Sequence, residues 1–368
     1  VPRRHRVFGG LTPRQEHIFT WMATVAVLLY ATAWFAAIQR AIEQQREVVQ
    51  LQHEAGIKAA TPIPPPVVAP AQQVASAMLD PQTPSTAFIN DAMLTFLSPL
   101  RGASGKVRLA TISPGGEVIT PPEGTNVSLK ESGTEGFSKL AVQIDQATRE
   151  IADLNVVTLV PFSEKHAGRI GPYYLGNWPF ENGGRPPKSA YDNPKGFIEV
   201  TRDNVNTSVS EHFHLGDFLT KDQPNVWPKY LLLNPKVLDK LELTISELQK
   251  MGHPVHHITV MSGFRTPSYN VHGGNTAGRA NLSRHMYGDA SDVFIDNDRN
   301  GVMDDLNGDG RVDVRDAEVI LQAAERVERN NPSLVGGVGV YSACCGHGPF
   351  THIDVRGYRA RWRGVGGG

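Results

Sequence analysis

The chain has 368 residues, with 36 Lys+Arg against 37 Asp+Glu and a formal net charge of −1. That balance leaves no electrostatic footprint for nucleic acid, and no nucleic-acid partner is expected. The two cysteines, Cys344 and Cys345, are adjacent, which excludes a disulfide framework; they read as two buried or partly buried thiols, with a metal role as the rival reading.

In chain order, residues 1–17 form a short tail carrying Arg3, Arg4, Arg6 and Arg14. Residues 18–38, IFTWMATVAVLLYATAWFAAI, carry no charge. A helix of that length crosses a hydrocarbon core of roughly 30 Å. The arginines before it place the N-terminus in the cytoplasm and the remainder outside. An uncleaved anchor is expected, with a cleaved signal peptide as the alternative. Residues 39–87 follow as a Gln/Glu-rich helical stalk and a spacer that includes TPIPPPVVAP at 61–70.

Residues 88–200 read as a small β-rich domain, a sandwich of short strands separated by Pro/Gly turns. KVRLATI (106–112), EVIT (117–120), NVSLK (126–130), FSKLAVQI (137–144) and NVVTLVPF (155–162) are its candidate strands. Leu140, Ile144, Ala147, Ile151 and Leu154 also fit a helical face, so helix within 138–154 is the competing reading. Trp178, Tyr173 and Tyr174 are expected as packed turn aromatics, ahead of a sugar-stacking surface.

From residue 201 to 361 the texture is α+β. LNPKVLDKLELTISELQKMG (233–252) predicts a helix capped by Asn234, started by Pro235 and ended by Gly252. HITVMSG (257–263), DASDVFI (289–295), GVGVY (337–341) and FTHIDVR (350–356) predict strands. A central sheet, antiparallel in large part, is expected with helices on one face. Residues 362–368 are expected as a flexible tail.

The chemistry concentrates in SRHMYGDASD (283–292) and THID (351–354). A catalytic zinc needs three ligands from His, Asp or Glu and one open position. His285 and Asp292 are seven apart, and a turn at Gly288 lets the imidazole fold back beside the carboxylate. A neighbouring strand brings His352 to the same place. His212, His214, His253, His256 and His257 are expected as ordinary structural residues, and His272 is left open.

SRHMYGDASD matches the S-x-H-x-x-G-x-A-x-D signature of the LAS metallopeptidases, named for lysostaphin, D-alanyl-D-alanine carboxypeptidases and sonic hedgehog. SGFRTPSYN (262–270) resembles the arginine motif of that group, and THID resembles its closing histidine motif. The chain is most similar to the branch of periplasmic murein endopeptidases, over roughly 200–361. The resemblance implies an antiparallel-sheet, hedgehog-like domain and zinc on His285, Asp292 and His352. It implies that Arg265 stabilises an oxyanion or holds a substrate carboxylate, and that Ser283 orients a ligand. The pattern departs at the general base, where Pro349 and Phe350 stand at the expected positions. His347 and Asp354 are the candidate replacements, each with an ordinary structural role as its alternative.

A second metal pattern occupies 296–316. Asp305, Asn307, Asp309, Asp313 and Asp316, with Gly310, fit the spacing of an EF-hand-type loop; Asp296, Asp298, Asn300 and Asp304 form a shorter version. Structural Ca²⁺ is expected there, ahead of an acidic surface loop. Together these readings predict an inner-membrane, single-pass zinc peptidase with a periplasmic catalytic domain, hydrolysing stem-peptide or cross-link amides of its partner peptidoglycan. The alternative is an inactive, metal-stabilised wall-binding or scaffolding domain.

Overall fold

The computed structural model describes Trp21 and residues 102–113, 125–134, 136–144, 147–274, 276, 279–344 and 346–365. The tail at 1–17, the span at 18–38 apart from Trp21, and the stalk and linker at 39–87 lie outside the described residues. No helix among the described residues is long and apolar enough to cross a membrane. The expected single-pass anchor, membrane partner and inner-membrane location are corrected on that finding.

The described part of Pro70–Gly368 falls in one compact unit. Its strands are β1 (Leu109–Ile112), β2 (Thr125–Glu131), β3 (Phe137–Ile144), β4 (Ala147–Thr158), β5 (Val160–Pro161), β6 (Arg169–Ile170) and β7 (Tyr173–Tyr174). They continue with β8 (Gly196–Val200), β9 (Lys229–Leu231), β10 (Ile258–Ser262), β11 (Ala290–Ile295), β12 (Gly337–Ser342), β13 (Phe350–Asp354) and β14 (Ala360–Val365). The α-helices are α1 (Pro235–Lys250), α2 (Pro267–His272) and α3 (Val314–Asn330).

The sheet that matters for function has the order β10-β11-β13-β12-β14. Its pairs are antiparallel except β12 and β14, which run parallel. The architecture is α+β with mixed sheets, and this sheet is antiparallel in large part, as expected; the membrane-anchored part of the expected fold is corrected. Trp362 to Val365, expected in a flexible tail, form the end of β14. The segment read as a sandwich forms one four-stranded sheet, β1-β4-β3-β2, with β1 and β4 parallel, plus short ladders. Residues 138–144 and 147–154 are strand, so the helical alternative is not realised there. EVIT at 117–120 lies outside the described residues.

Helix α1 begins where the sequence places it. The Asn234 side chain accepts from Lys236 N at 3.0 Å, and Pro235 costs no hydrogen bond in the first turn. Val237, Leu241, Ile245 and Leu248 form its buried stripe. Burying each such side chain contributes about 1.5–3 kcal/mol before chain entropy is counted. Helix α3 starts with a reciprocal capping box between Asp313 and Asp316, and buries Ala317, Ile320, Ala324 and Val327.

Strand alternation divides the sheet into two faces. Val293, Ile295, Val338, Val340 and Ile353 join the same buried cluster as the stripes of α1 and α3. Thr351 Oγ1 donates to the Ala317 carbonyl of α3 at 2.9 Å, fixing which face meets the helix. The opposite face carries Asp292, Phe294, Phe350, His352 and Asp354.

Candidate metal centre

The turn that enters β11 presents His285. Residues Arg284–Tyr287 form a single 3-10 turn, closed by Gly288 in the left-handed region at φ 69°. A Cβ at Gly288 would lie 2.4 Å from the Leu232 backbone, so both the dihedral and the close approach require glycine. Three contacts hold the turn: Arg284 Nε donates to Asp289 Oδ1 at 3.0 Å, Trp178 Nε1 to the Met286 carbonyl at 2.9 Å, and Asn234 N to the Gly288 carbonyl at 2.8 Å. Trp178 is thus a packed turn aromatic, as expected.

The β11–β13 register sets Asp292 directly opposite His352. His285 Nε2 lies 3.2 Å from Asp292 Oδ1 and 3.1 Å from His352 Nδ1; His352 Nδ1 lies 2.8 Å from Asp292 Oδ1. All three residues are buried. Tetrahedral zinc with bonds of about 2.0–2.1 Å spaces its ligand atoms about 3.3 Å apart, close to this triangle.

The outer contacts decide which atoms face inward. His285 Nδ1 donates to the Gly263 carbonyl at 2.6 Å, leaving Nε2 as the lone-pair atom of the neutral ring. Burial, and then the Arg265 charge, push this imidazole down to about 4, so it is neutral at neutral pH. His352 Nε2 lies 3.0 Å from Asp354 Oδ2. When it donates there, His352 Nδ1 also presents a lone pair. Two lone pairs and a carboxylate oxygen then converge with no hydrogen between them, and a cation satisfies all three. Burial alone raises Asp292, but the nearby His285 and Arg265 outweigh it and hold the carboxyl well below its ordinary value. His352 is raised in the metal-free state: burial lowers it, and the bonds with Asp292 and Asp354 outweigh burial.

Arg265 clamps the outer oxygen of Asp292. Its Nη2 lies 2.5 Å from Asp292 Oδ2, while its Nε donates to Ser262 Oγ at 2.8 Å. Asp354 is completely buried and accepts from Gly337 N at 2.7 Å and from the Arg356 guanidinium. Burial raises this carboxyl, but hydrogen bonds from His352 and Arg356 outweigh it and hold it far below the usual range. It sits behind His352, on the ring nitrogen that faces away from Asp292.

The triad opens into a cavity of about 420 Å³ that is also lined by Tyr191, Arg265, Arg279, Tyr341, Arg356 and Trp362. Neither candidate base lines it. His347 lines a separate cavity of about 630 Å³ with Lys221, Met261 and Val302, and its ring packs edge-on against Phe350 at 5.2 Å. Among the described residues, no carboxylate or imidazole outside the triad lines the metal cavity. Ser283 lines it too, with no hydroxyl bond to the triad. Tyr341 and Trp362 were not singled out from sequence. Cys344 is disulfide-bonded, which corrects the expectation of two thiols.

The acidic loop is only partly assembled as a cation site. Ligand oxygens of Asp296, Asp298 and Asp304 lie within 4.8 Å of one another. Asn300 instead caps the turn, with its N–H on Asp296 at 2.8 Å. In the longer pattern, Asp305 accepts from Gly308 N and Gly310 N, and Asn307 accepts from Asp309 N. Asp309 and Asp313 pair with Arg315 at 2.6 and 2.7 Å. Asp316 is buried on backbone N–H groups of Leu306, Asn307 and Asp313.

No protein-family model, curated protein or solved structure matches the chain. The resemblance to the LAS metallopeptidases is therefore corrected: it rests on short motifs that no family match supports, and the chain is not assigned to that family. Among the described residues no peptidoglycan-binding surface is identified either, and peptidoglycan is withdrawn as a partner. A buried His/Asp triad able to coordinate a metal ion remains.

Proposed function

We propose that the protein is a zinc-dependent peptidase that hydrolyses an amide bond at the triad. One observation carries the reading: His285 Nε2, His352 Nδ1 and Asp292 Oδ1 converge within 3.2 Å of one another, beside a cavity. Two imidazoles and one carboxylate suit zinc, and three protein ligands leave a position open for chemistry. When bound, zinc supplies Lewis-acid polarisation of the scissile carbonyl and acidifies water.

The chain's own groups do the rest. The Gly263 carbonyl and the Asp354 carboxylate fix the two imidazoles. Arg265 holds Asp292 in a single orientation and keeps a fixed positive charge at the cavity wall. That charge suits an oxyanion or a substrate carboxylate. A second reading, a metal-stabilised binding domain without turnover, is favoured by the lack of a base among the described residues lining the cavity.

Turnover separates the two. The zinc-loaded chain is incubated with a peptide panel that includes the stem and cross-linked peptides of peptidoglycan, with and without chelator, and the products are read by mass spectrometry. Chelator-sensitive cleavage supports the peptidase. No cleavage of any arm by a zinc-loaded chain supports the binding domain.

For the acidic loop, the proposal narrows to structural calcium at Asp296, Asp298 and Asp304, supported by their close carboxylates. Calorimetric titration with calcium tests it; no heat of binding would remove it.

A further inference from the structure

Two aromatic residues approach the triad from β12 and β14. Gly339 of β12 pairs with His352 on one side and Trp362 on the other. A Cβ on Gly339 would meet the Trp362 ring at 2.2 Å, so the missing side chain lets the indole lie across the strand. The ring then packs against His352, centroids 5.1 Å apart. Its Nε1 donates to the Tyr341 hydroxyl oxygen at 2.7 Å. The Tyr341 ring is held in turn by stacking on Phe350, 4.5 Å apart and 6° from parallel.

An indole N–H donates and never accepts. The Trp362 bond therefore uses a lone pair of the Tyr341 oxygen and leaves its O–H to point elsewhere. Among the described residues no protein atom accepts that hydrogen, and Tyr341 lines the cavity that the triad shares. Tyr341 lies two residues from Gly339 on β12, and Gly339 pairs with His352, so the phenol stands on the face of the sheet that carries the triad. Burial raises the phenol above its ordinary value, so it keeps its proton at neutral pH.

We propose that Tyr341 is a further catalytic residue, whose hydroxyl, oriented by Trp362, donates a hydrogen bond to the carbonyl oxygen of the scissile amide. The assignment rests on the amide-hydrolase reading above. No proton is transferred: the bond strengthens as negative charge builds on that oxygen, on the same cavity wall as Arg265. Removing one donor of this kind costs about 10²–10³ in kcat.

The test replaces zinc with cobalt in the full chain and titrates acetohydroxamate, whose carbonyl oxygen accepts the same hydrogen bond. Binding is read from the visible cobalt absorption. Tyr341→Phe should bind the probe about ten to a hundred times more weakly, the range for losing a hydrogen bond to a charged group. Its cobalt spectrum without probe should match that of the native chain, which reports an intact site. Trp362→Phe, which keeps the hydroxyl but removes its orienting donor, should weaken the probe by a smaller factor. Equal affinity in Tyr341→Phe and the native chain would overturn the role of Tyr341 and leave the metal reading standing. A native chain that binds no cobalt would overturn both.

Discussion

His285 Nε2 and His352 Nδ1 face each other at 3.1 Å across the buried carboxylate of Asp292. Such an approach between two imidazole nitrogens is favourable only when a proton or a cation lies between them. The Gly263 carbonyl and the Asp354 carboxylate draw the ring protons outward, so the cation is the better occupant.

Asp354 should therefore govern metal affinity without touching the metal. Asp354→Asn keeps the shape of the side chain and loses the charge that orients His352. Zinc affinity measured against a competing chelator should fall about ten- to hundredfold, the usual range for such outer contacts. An unchanged affinity would mean that Asp354 serves Arg356 and Gly337 alone.

Gly339 should tolerate no side chain. Gly339→Ala forces the Trp362 ring away from β12, because the added carbon meets it at 2.2 Å. Overpacking of this kind costs about 1–3 kcal/mol, to be read from urea unfolding. Tryptophan emission should shift in the same variant as the indole leaves His352. A variant with native stability and emission would show that the strand yields instead.

Lys240 ties the functional sheet to both long helices. It is fully buried on α1, and its Nζ donates to Glu328 Oε1 of α3 and to the Asp354 carbonyl of β13, each at 2.7 Å. Lys240→Ala leaves Glu328 short of one partner and should cost about 3–5 kcal/mol. Lys240→Met, which refills the volume, should cost less. A loss below about 1 kcal/mol in Lys240→Ala, within the ordinary range of point substitutions, would show that Arg361 and the Gly336 N–H satisfy Glu328 without the lysine.

The His212–Glu242 pair should make stability depend on pH. His212 Nδ1 lies 2.7 Å from Glu242 Oε2, and Glu242 is completely buried. The bond to Glu242 raises the imidazole above its ordinary 6.5. Burial raises the Glu242 carboxyl, but the hydrogen bonds it accepts, the one from the His212 ring foremost, together outweigh burial, and the group falls below its ordinary 4.5. A raised histidine contributes fully below 6.5 and loses that contribution as pH rises through its folded value. A lowered carboxyl contributes fully above 4.5 and loses that contribution as pH falls through its folded value. Both are complete between 4.5 and 6.5. The destabilisation by His212→Gln in urea melts should be larger at about pH 5.5 than at about pH 9. Equal penalties at the two pH values would refute the coupling.

The triad was legible because its logic is local to two strands. The turn at Gly288 and the alternation of β11 and β13 turn short spacings into convergent side chains. The β12–β14 contact was not legible, since parallel pairing of the last strand with β12 leaves no periodic mark. Trp362, which this pairing sets on His352, was consequently assigned to a tail. His347 stood five residues from His352 and read as a base, yet its loop carries it against the Phe350 ring and into a separate cavity. Residues 138–154 were ambiguous for a different reason. Leu140, Ile151 and Leu154 suit a helical stripe, but pairing of β3 with both β2 and β4 satisfies the backbone as strand.

The most direct test of the account is the zinc content of the full chain after exhaustive dialysis, compared with that of His285→Ala. The account predicts about one zinc per chain in the native protein and none in the variant, since two remaining ligands do not hold the ion. Equal zinc in both, or none in the native chain, would contradict it.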